Sequence, residues 1–399
     1  MENCVILEVG TTYTRGMVIE PNENGTFKIL AIAATKSTGV KKGEIVNIQH
    51  TDVSIKSIIK KLSEESETDI RTVNLIYSGG SPQFDIISGM KTLNNRDGFI
   101  EEQHINIAQQ NAMERELPEG RTLSEVIPLD YFLDKDQKVD NPIRMSANSL
   151  TVNLMRLHVD KNRLNSVLNL LDDNSIDYSN VYLSGLVSAI GATTQQQRQE
   201  GVLVINLGGG TTTWAVYTNK TPRHVGGIPI GGDHITNDIH VAFKSTLENS
   251  EKLKCNFGSA TIDTSRETEN YDQEFTTKYV TRNDLSKVIN ARIDETIRIV
   301  YDQISKSGLS EAINTVVLCG KGAYLKNIDK LVENIFQVPC SIANPKIPFS
   351  RMNAEAPTMA YVALLGAAQC CTKEAIQEEN RRKKSAGFFS RLFQRSNNN

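Results

Sequence analysis

Several features that define protein classes are scarce in this sequence. Its six cysteines (Cys4, Cys255, Cys319, Cys340, Cys370 and Cys371) include no C-x-x-C pair. That excludes the common zinc spacings and leaves no disulfide framework. Several lie in apolar runs, where buried reduced thiols are expected, as in a reducing cytoplasm. No apolar stretch approaches the ~18 residues that cross a bilayer as a helix. The opening Met-Glu-Asn-Cys-Val-Ile-Leu has no basic n-region and no apolar h-region, so no signal peptide is expected. Acidic residues are missing from Asn380 onward, where six basic ones stand: Arg381, Arg382, Lys383, Lys384, Arg391 and Arg395. Of 44 Lys+Arg and 47 Asp+Glu, 38 and 47 therefore belong to the rest, so the net charge of −3 divides into −9 on a body and +6 on a tail. A general nucleic-acid binder needs a broad basic face, which such a body does not offer.

What is present is an ordinary globular composition, 39% hydrophobic and 23% charged, long enough for two or more cores. Cys4–Val9, then Gly10-Thr11-Thr12, then Arg15–Ile19 reads as strand, tight turn, strand. Phe27–Ala34 and Thr72–Tyr77 read as strands and Val53–Leu62 as a helix. Gln83–Leu157 has another texture, with strands around a helix at Glu102–Arg115, and reads as an inserted unit. About 200 residues after the first turn, Gly201–Leu207, Gly208-Gly209-Gly210-Thr211-Thr212-Thr213 and Trp214–Tyr217 repeat the opening pattern. Such an echo suggests two related halves. Val316–Cys319 is a buried strand ending in Gly320-Lys321-Gly322, and Tyr361–Gln369 is a last core helix.

The glycine turns carry the chemistry. A phosphate needs close backbone approach, free N–H groups and hydroxyl donors; glycine supplies the first two and threonine the third. A single glycine hairpin is most often only a hairpin. Two of them, one half-domain apart, and a strand–helix glycine turn at Gly320 suggest a nucleotide clamped between two lobes.

The order Leu7-Glu8-Val9-Gly10-Thr11, Ile205-Asn206-Leu207-Gly208-Gly209-Gly210-Thr211 and Val317-Leu318-Cys319-Gly320 resembles the phosphate-1, phosphate-2 and adenosine motifs of the actin-like ATPase superfamily. Within it the chain resembles the FtsA family along nearly its whole length. Val126–Tyr131, Asn141–Met145, Ser184–Leu186, Arg223-His224 and Glu251-Lys252-Leu253-Lys254 add to the likeness, as does the basic C-terminus. The resemblance implies a two-lobed actin-like α/β fold (a ribonuclease-H-like duplication) with an inserted α+β subdomain. Its divisions are expected at 1–82 and 158–198 for the first lobe, with 83–157 inserted. The second lobe is expected at 199–242 and 306–354, with 243–305 as its small subdomain. A return helix at 355–371, a flexible linker at 372–386 and a membrane-targeting helix at 387–399 complete the chain.

The same resemblance implies ATP and Mg²⁺ as cofactors. Gly10, Thr11 and Thr12 would hold the β/γ-phosphates with Arg15 facing them, and Gly208, Gly209, Gly210 and Thr211 would form the opposite hairpin. Glu251 and Lys254 would reach the ribose and adenine, and Gly320, Lys321 and Gly322 would lie along the adenosine. Glu8 and Asn206 would hold Mg²⁺ through water. Four positions depart from the pattern that the resemblance implies: Glu8 replaces an Asp, as in the FtsA family, Asn206 replaces an Asp, Thr213 stands at a second acidic position, and Lys321 replaces a glycine. Losing a carboxylate from the metal shell implies slow or absent hydrolysis.

In the tail, Phe388, Phe389, Leu392 and Phe393 form one helical stripe beside Arg391 and Arg395. A basic amphipathic helix of this kind is an interfacial anchor; packing on the body or disorder are the plainer readings. The family implies a septal protein on the cytoplasmic face of the bacterial inner membrane. It would polymerise and tether FtsZ filaments, with the FtsZ tail at 243–305 and anionic lipids and other division proteins as further partners. A pilus-assembly adaptor and a small-molecule kinase of the same superfamily are the rivals. The first would lack the tail; the second needs a catalytic carboxylate motif that is not found.

Overall fold

The computed structural model describes residues 1–79, 81–94, 98–262, 280–345, 349–351 and 359–396, and the side chains of these except 349–351 and 382–396. The chain starts with a meander of β1 (Cys4–Val9), β2 (Tyr13–Pro21) and β3 (Phe27–Lys36), antiparallel throughout. Near-continuous burial in β1 and β2 marks a sheet covered on both faces. A small hairpin, β4 (Val40–Lys41) and β5 (Glu44–Ile45), leads to α1 (Ile48–Ser66), whose Asn47 cap accepts from the His50 N–H. β6 (Thr72–Tyr77) returns parallel to β1.

The inserted unit follows as β7 (Gln83–Thr92), α2 (Glu102–Met113), β8 (Arg121–Leu133), β9 (Gln137–Val139) and β10 (Ser149–Asp160). It is a separate sheet in the order β7-β10-β8-β9. α2 lies so close that a Cβ on Gly89 would sit 2.0 Å from the Ala108 carbonyl. α3 (Lys161–Asp172) and β11 (Asp177–Leu183) then resume the first lobe, with β11 parallel to β6.

α4 (Ser184–Ala192) and α5 (Gln195–Glu200) cross to the second lobe. There β12 (Val202–Leu207), β13 (Thr212–Thr218) and β14 (Thr221–Ile228) form a second antiparallel meander. Three helices follow, α6 (Gly232–Phe243), α7 (Leu247–Phe257) and α8 (Arg282–Lys306). Next come β15 (Thr315–Cys319), α9 (Ile328–Phe336), β16 (Cys340–Ile342) and β17 (Phe349–Arg351). The second sheet runs β16-β15-β12-β13-β14 and the first β11-β6-β1-β2-β3-β17. Each therefore joins a three-stranded antiparallel meander to two parallel strands in the same order. The internal echo seen in the sequence is thus a duplicated sheet.

The last helix, α10 (Val362–Ser396), begins in the first-lobe core, where Leu364, Leu365, Ala367 and Ala368 are fully buried. It corrects one expectation: residues 372–386 are helix, not flexible linker. Their low hydrophobicity suggested a linker, but Glu, Lys, Gln, Arg and Ala without an internal Pro or Gly favour helix. The membrane-facing roles expected of Phe388, Phe389, Arg391, Leu392, Phe393 and Arg395 lie outside the described side chains.

Candidate functional site

The two glycine turns have the same construction. In the first, the Gly10 N–H donates to the Tyr13 carbonyl at 3.2 Å; in the second, the Gly208 N–H donates to the Thr211 carbonyl at 2.9 Å. A Cβ on either Gly10 or Gly208 would stand 2.8 Å from that same carbonyl, so both positions require glycine for the same reason. The turns face one another. A Cβ on Gly209 would be 1.8 Å from the Thr12 hydroxyl, and one on Gly210 would be 2.3 Å from the Thr11 hydroxyl. The third turn is seated on β12: Gly320 has φ +80°, and a Cβ there would meet the Asn206 amide oxygen at 2.3 Å. Only glycine adopts that conformation at no cost and leaves that room.

Between these turns opens a cleft of ≈ 1210 Å³. All fifteen residues expected to hold nucleotide or metal, from Glu8 to Gly322, line it. Lys254 donates to the Gly232 carbonyl at 3.0 Å, to Thr236 at 2.8 Å and to Glu251 at 2.6 Å. Burial works against ionisation of Glu251, but the Lys254 ammonium and the Thr236 hydroxyl hold its carboxyl below the usual range. Arg15 does not point free into the cleft; its guanidinium pairs with Glu8 at 2.9 Å across the β1–β2 ladder.

The expected metal residues are also engaged. Glu8 is buried against Arg15 and takes a long bond from Ser78 at 3.5 Å. The Asn206 amide donates to Ser184 at 3.1 Å and Ser188 at 3.0 Å. Among the described residues no three His, Cys, Asp or Glu side chains form a group that could hold a metal ion. Glu8 and Asn206 are thus both engaged by protein partners at the floor of the cleft.

The site also holds residues that motif reading passed over. Asp233, second in α6, anchors its N–H on the Gly209 carbonyl at 2.8 Å and accepts from Thr12 of the facing turn at 3.4 Å. Burial pushes its carboxyl up. The signal available in the sequence was a glycine pair followed by an acid at a helix start. Tyr13 carries the Lys321 ammonium 3.6 Å from its ring centroid. No sequence pattern announces that contact, because the partners lie on different lobes.

Duplicated sheets closing glycine hairpins on one cleft define the actin-like class of two-lobed α/β proteins. Solved structures agree on the fold. The type IV pilus biogenesis PilM–PilN complex superposes with a TM-score of 0.65 at 14% identity, over 91% of this chain and 96% of that one. MreB5 of Spiroplasma citri bound to AMPPNP gives 0.56 at 13% identity, over 96% and 99%. Two family models narrow the class: Cell division protein FtsA matches residues 203–366, and the SHS2 domain inserted in FTSA matches residues 79–157. Cell division protein FtsA of Borreliella burgdorferi is 28% identical over 85% of this chain and 84% of its own length. That of Buchnera aphidicola subsp. Acyrthosiphon pisum is 26% identical over 98% and 96%. The chain belongs to the FtsA family of cell-division proteins.

Proposed function

We propose that this chain binds ATP with its magnesium ion between the lobes, self-associates, and links FtsZ filaments to the cytoplasmic face of the division-site membrane through its C-terminal segment. The carrying observation is the interlobe cleft with its facing hairpins, Gly10–Thr12 and Gly208–Thr211, at contact distance. Backbone N–H groups and threonine hydroxyls on both sides suit a phosphate chain, and the α6 N-terminus adds its dipole. Glu251 and Lys254 stand on the second-lobe side for the nucleoside. Hydrolysis is slow in this reading, since Asn206 brings no charge and Glu8 is already paired. The FtsZ tail docks on the small subdomain at 243–305, of which residues 263–279 lie outside the described ones.

Among the described residues no helix is long and apolar enough to cross a membrane. A reversible foot is the alternative way to hold a surface, and the +6 tail with its Phe/Leu stripe has that chemistry. A single short anchor binds weakly, whereas anchors along a filament bind together, because each contact after the first is effectively intramolecular. The test is co-sedimentation with anionic vesicles, with and without ATP·Mg²⁺, of the full chain and a chain ending at Ala386. The full chain is expected to pellet with vesicles, more so with ATP, and to carry FtsZ with it. A shortened chain that pellets equally well overturns the tether.

A further inference from the structure

The tip of the first-lobe turn is gripped from the other lobe at three successive residues. Thr11 lies against Gly210, Thr12 donates to Asp233, and the Tyr13 ring lies under the Lys321 ammonium. The third contact is the one that sets a cation on an aromatic face across the cleft. It is also well aimed. Lys321 opens a 3-10 turn (Lys321–Tyr324), and Gly320 and Gly322 on either side of it both pack on Leu207 of β12. The arm therefore leaves a fixed point on the second lobe and ends 3.6 Å from the centroid of a first-lobe ring.

We propose that Lys321 is a clasp: its ammonium on the face of Tyr13 holds the two lobes together across the cleft and thereby slows the release of nucleotide. This rests on the cleft being a nucleotide site, as read above. An ammonium over a tyrosine face is attracted by the ring quadrupole, and the lysine stem covers the ring as it crosses. The contact depends on the ring and not on the phenolic hydroxyl, and on a cation and not on a particular amine. Lys321→Arg and Tyr13→Phe preserve both; Lys321→Ala and Tyr13→Leu remove one each. Lys321 is exposed, so the effect is modest, about two- to fivefold in an equilibrium or a rate.

Two measurements test it. The first is hydrogen exchange of the two hairpins, in peptides spanning Glu8–Val18 and Asn206–Trp214, on full-length protein without nucleotide. The second is the dissociation rate of N-methylanthraniloyl-ATP chased with unlabelled ATP. Lys321→Ala and Tyr13→Leu are expected to raise hairpin exchange and nucleotide release by about two- to fivefold, while Lys321→Arg and Tyr13→Phe keep hairpin exchange of the nucleotide-free protein close to the parent. Unchanged exchange in Lys321→Ala overturns the clasp. So does a Tyr13→Phe variant that opens as far as Tyr13→Leu, because the ring face would then not be what holds. If exchange responds as expected but the fluorescent nucleotide never binds, the clasp stands and the nucleotide reading falls.

Discussion

Glu125 is a carboxylate whose surroundings oppose its charge. It stands on β8 of the inserted unit, where burial, reinforced by the Glu374 carboxylate of α10, pushes its carboxyl up to about 7. An acid raised in the folded state opposes folding once the unfolded chain ionises. Stability is therefore full below the ordinary value of about 4.5, falls as pH rises through the interval to about 7, and is level above it. Glu125→Gln removes the penalty. The variant is expected to match the parent at pH 4 and to exceed it at pH 8 by about 1–3 kcal/mol, as read from urea midpoints at the two values. Nothing in the sequence flags Glu125, since Glu374 is 249 positions away. The site residues were legible for the opposite reason. Gly10 and Gly208 answer to close contacts within their own turns and Gly320 to its own positive φ, so residue type alone reports them. Asp233 was not, because what makes it part of the site is Thr12, 221 positions distant.

At the scale of elements, the junction that matters most for the tail is the crossing of α4 and α10. A Cβ on Gly366 would meet the Val187 carbonyl at 1.7 Å, and one on Gly191 the Val362 carbonyl at 2.1 Å. The two helices therefore meet backbone to backbone, with glycine on each side. Backbone atoms cannot step aside as a side chain tip can, so Gly366→Ala forces the helices apart. It is expected to cost about 1–3 kcal/mol in urea denaturation, more than Gly308→Ala loses to its positive φ on open surface. α4 starts at Ser184, which takes the Asn206 amide beneath the cleft, and α10 runs on to Ser396. The interlobe cleft and the C-terminal segment thus share one helix pair. Strand and helix positions were largely readable from periodicity, and the turn repeat disclosed the duplication. The helical course of 372–386 was missed because hydropathy was weighed there and helix propensity was not.

For the whole molecule, the proposed tether raises the question of how a body of charge −9 would stay on an anionic surface. Long-range repulsion of that body is screened beyond about 8 Å at physiological salt, so the tail meets the surface largely alone. Two forces act in it, and they respond differently to salt. Each basic residue near an anionic leaflet contributes about 1 kcal/mol that salt weakens, whereas each buried Phe or Leu contributes roughly 1.5–3 kcal/mol that salt leaves intact. Replacing Lys383, Lys384, Arg391 and Arg395 by Gln should therefore lower binding to phosphatidylglycerol vesicles at low salt and leave a remainder that barely changes as NaCl is raised. Phe388→Ser with Leu392→Ser should lower binding at every salt concentration while the steep decline with NaCl persists. Co-sedimentation across a salt series distinguishes the two. Equal binding of the unaltered chain to neutral phosphatidylcholine would remove the electrostatic half of the argument. A salt-independent Gln variant with full affinity would show instead that the apolar stripe alone is the foot.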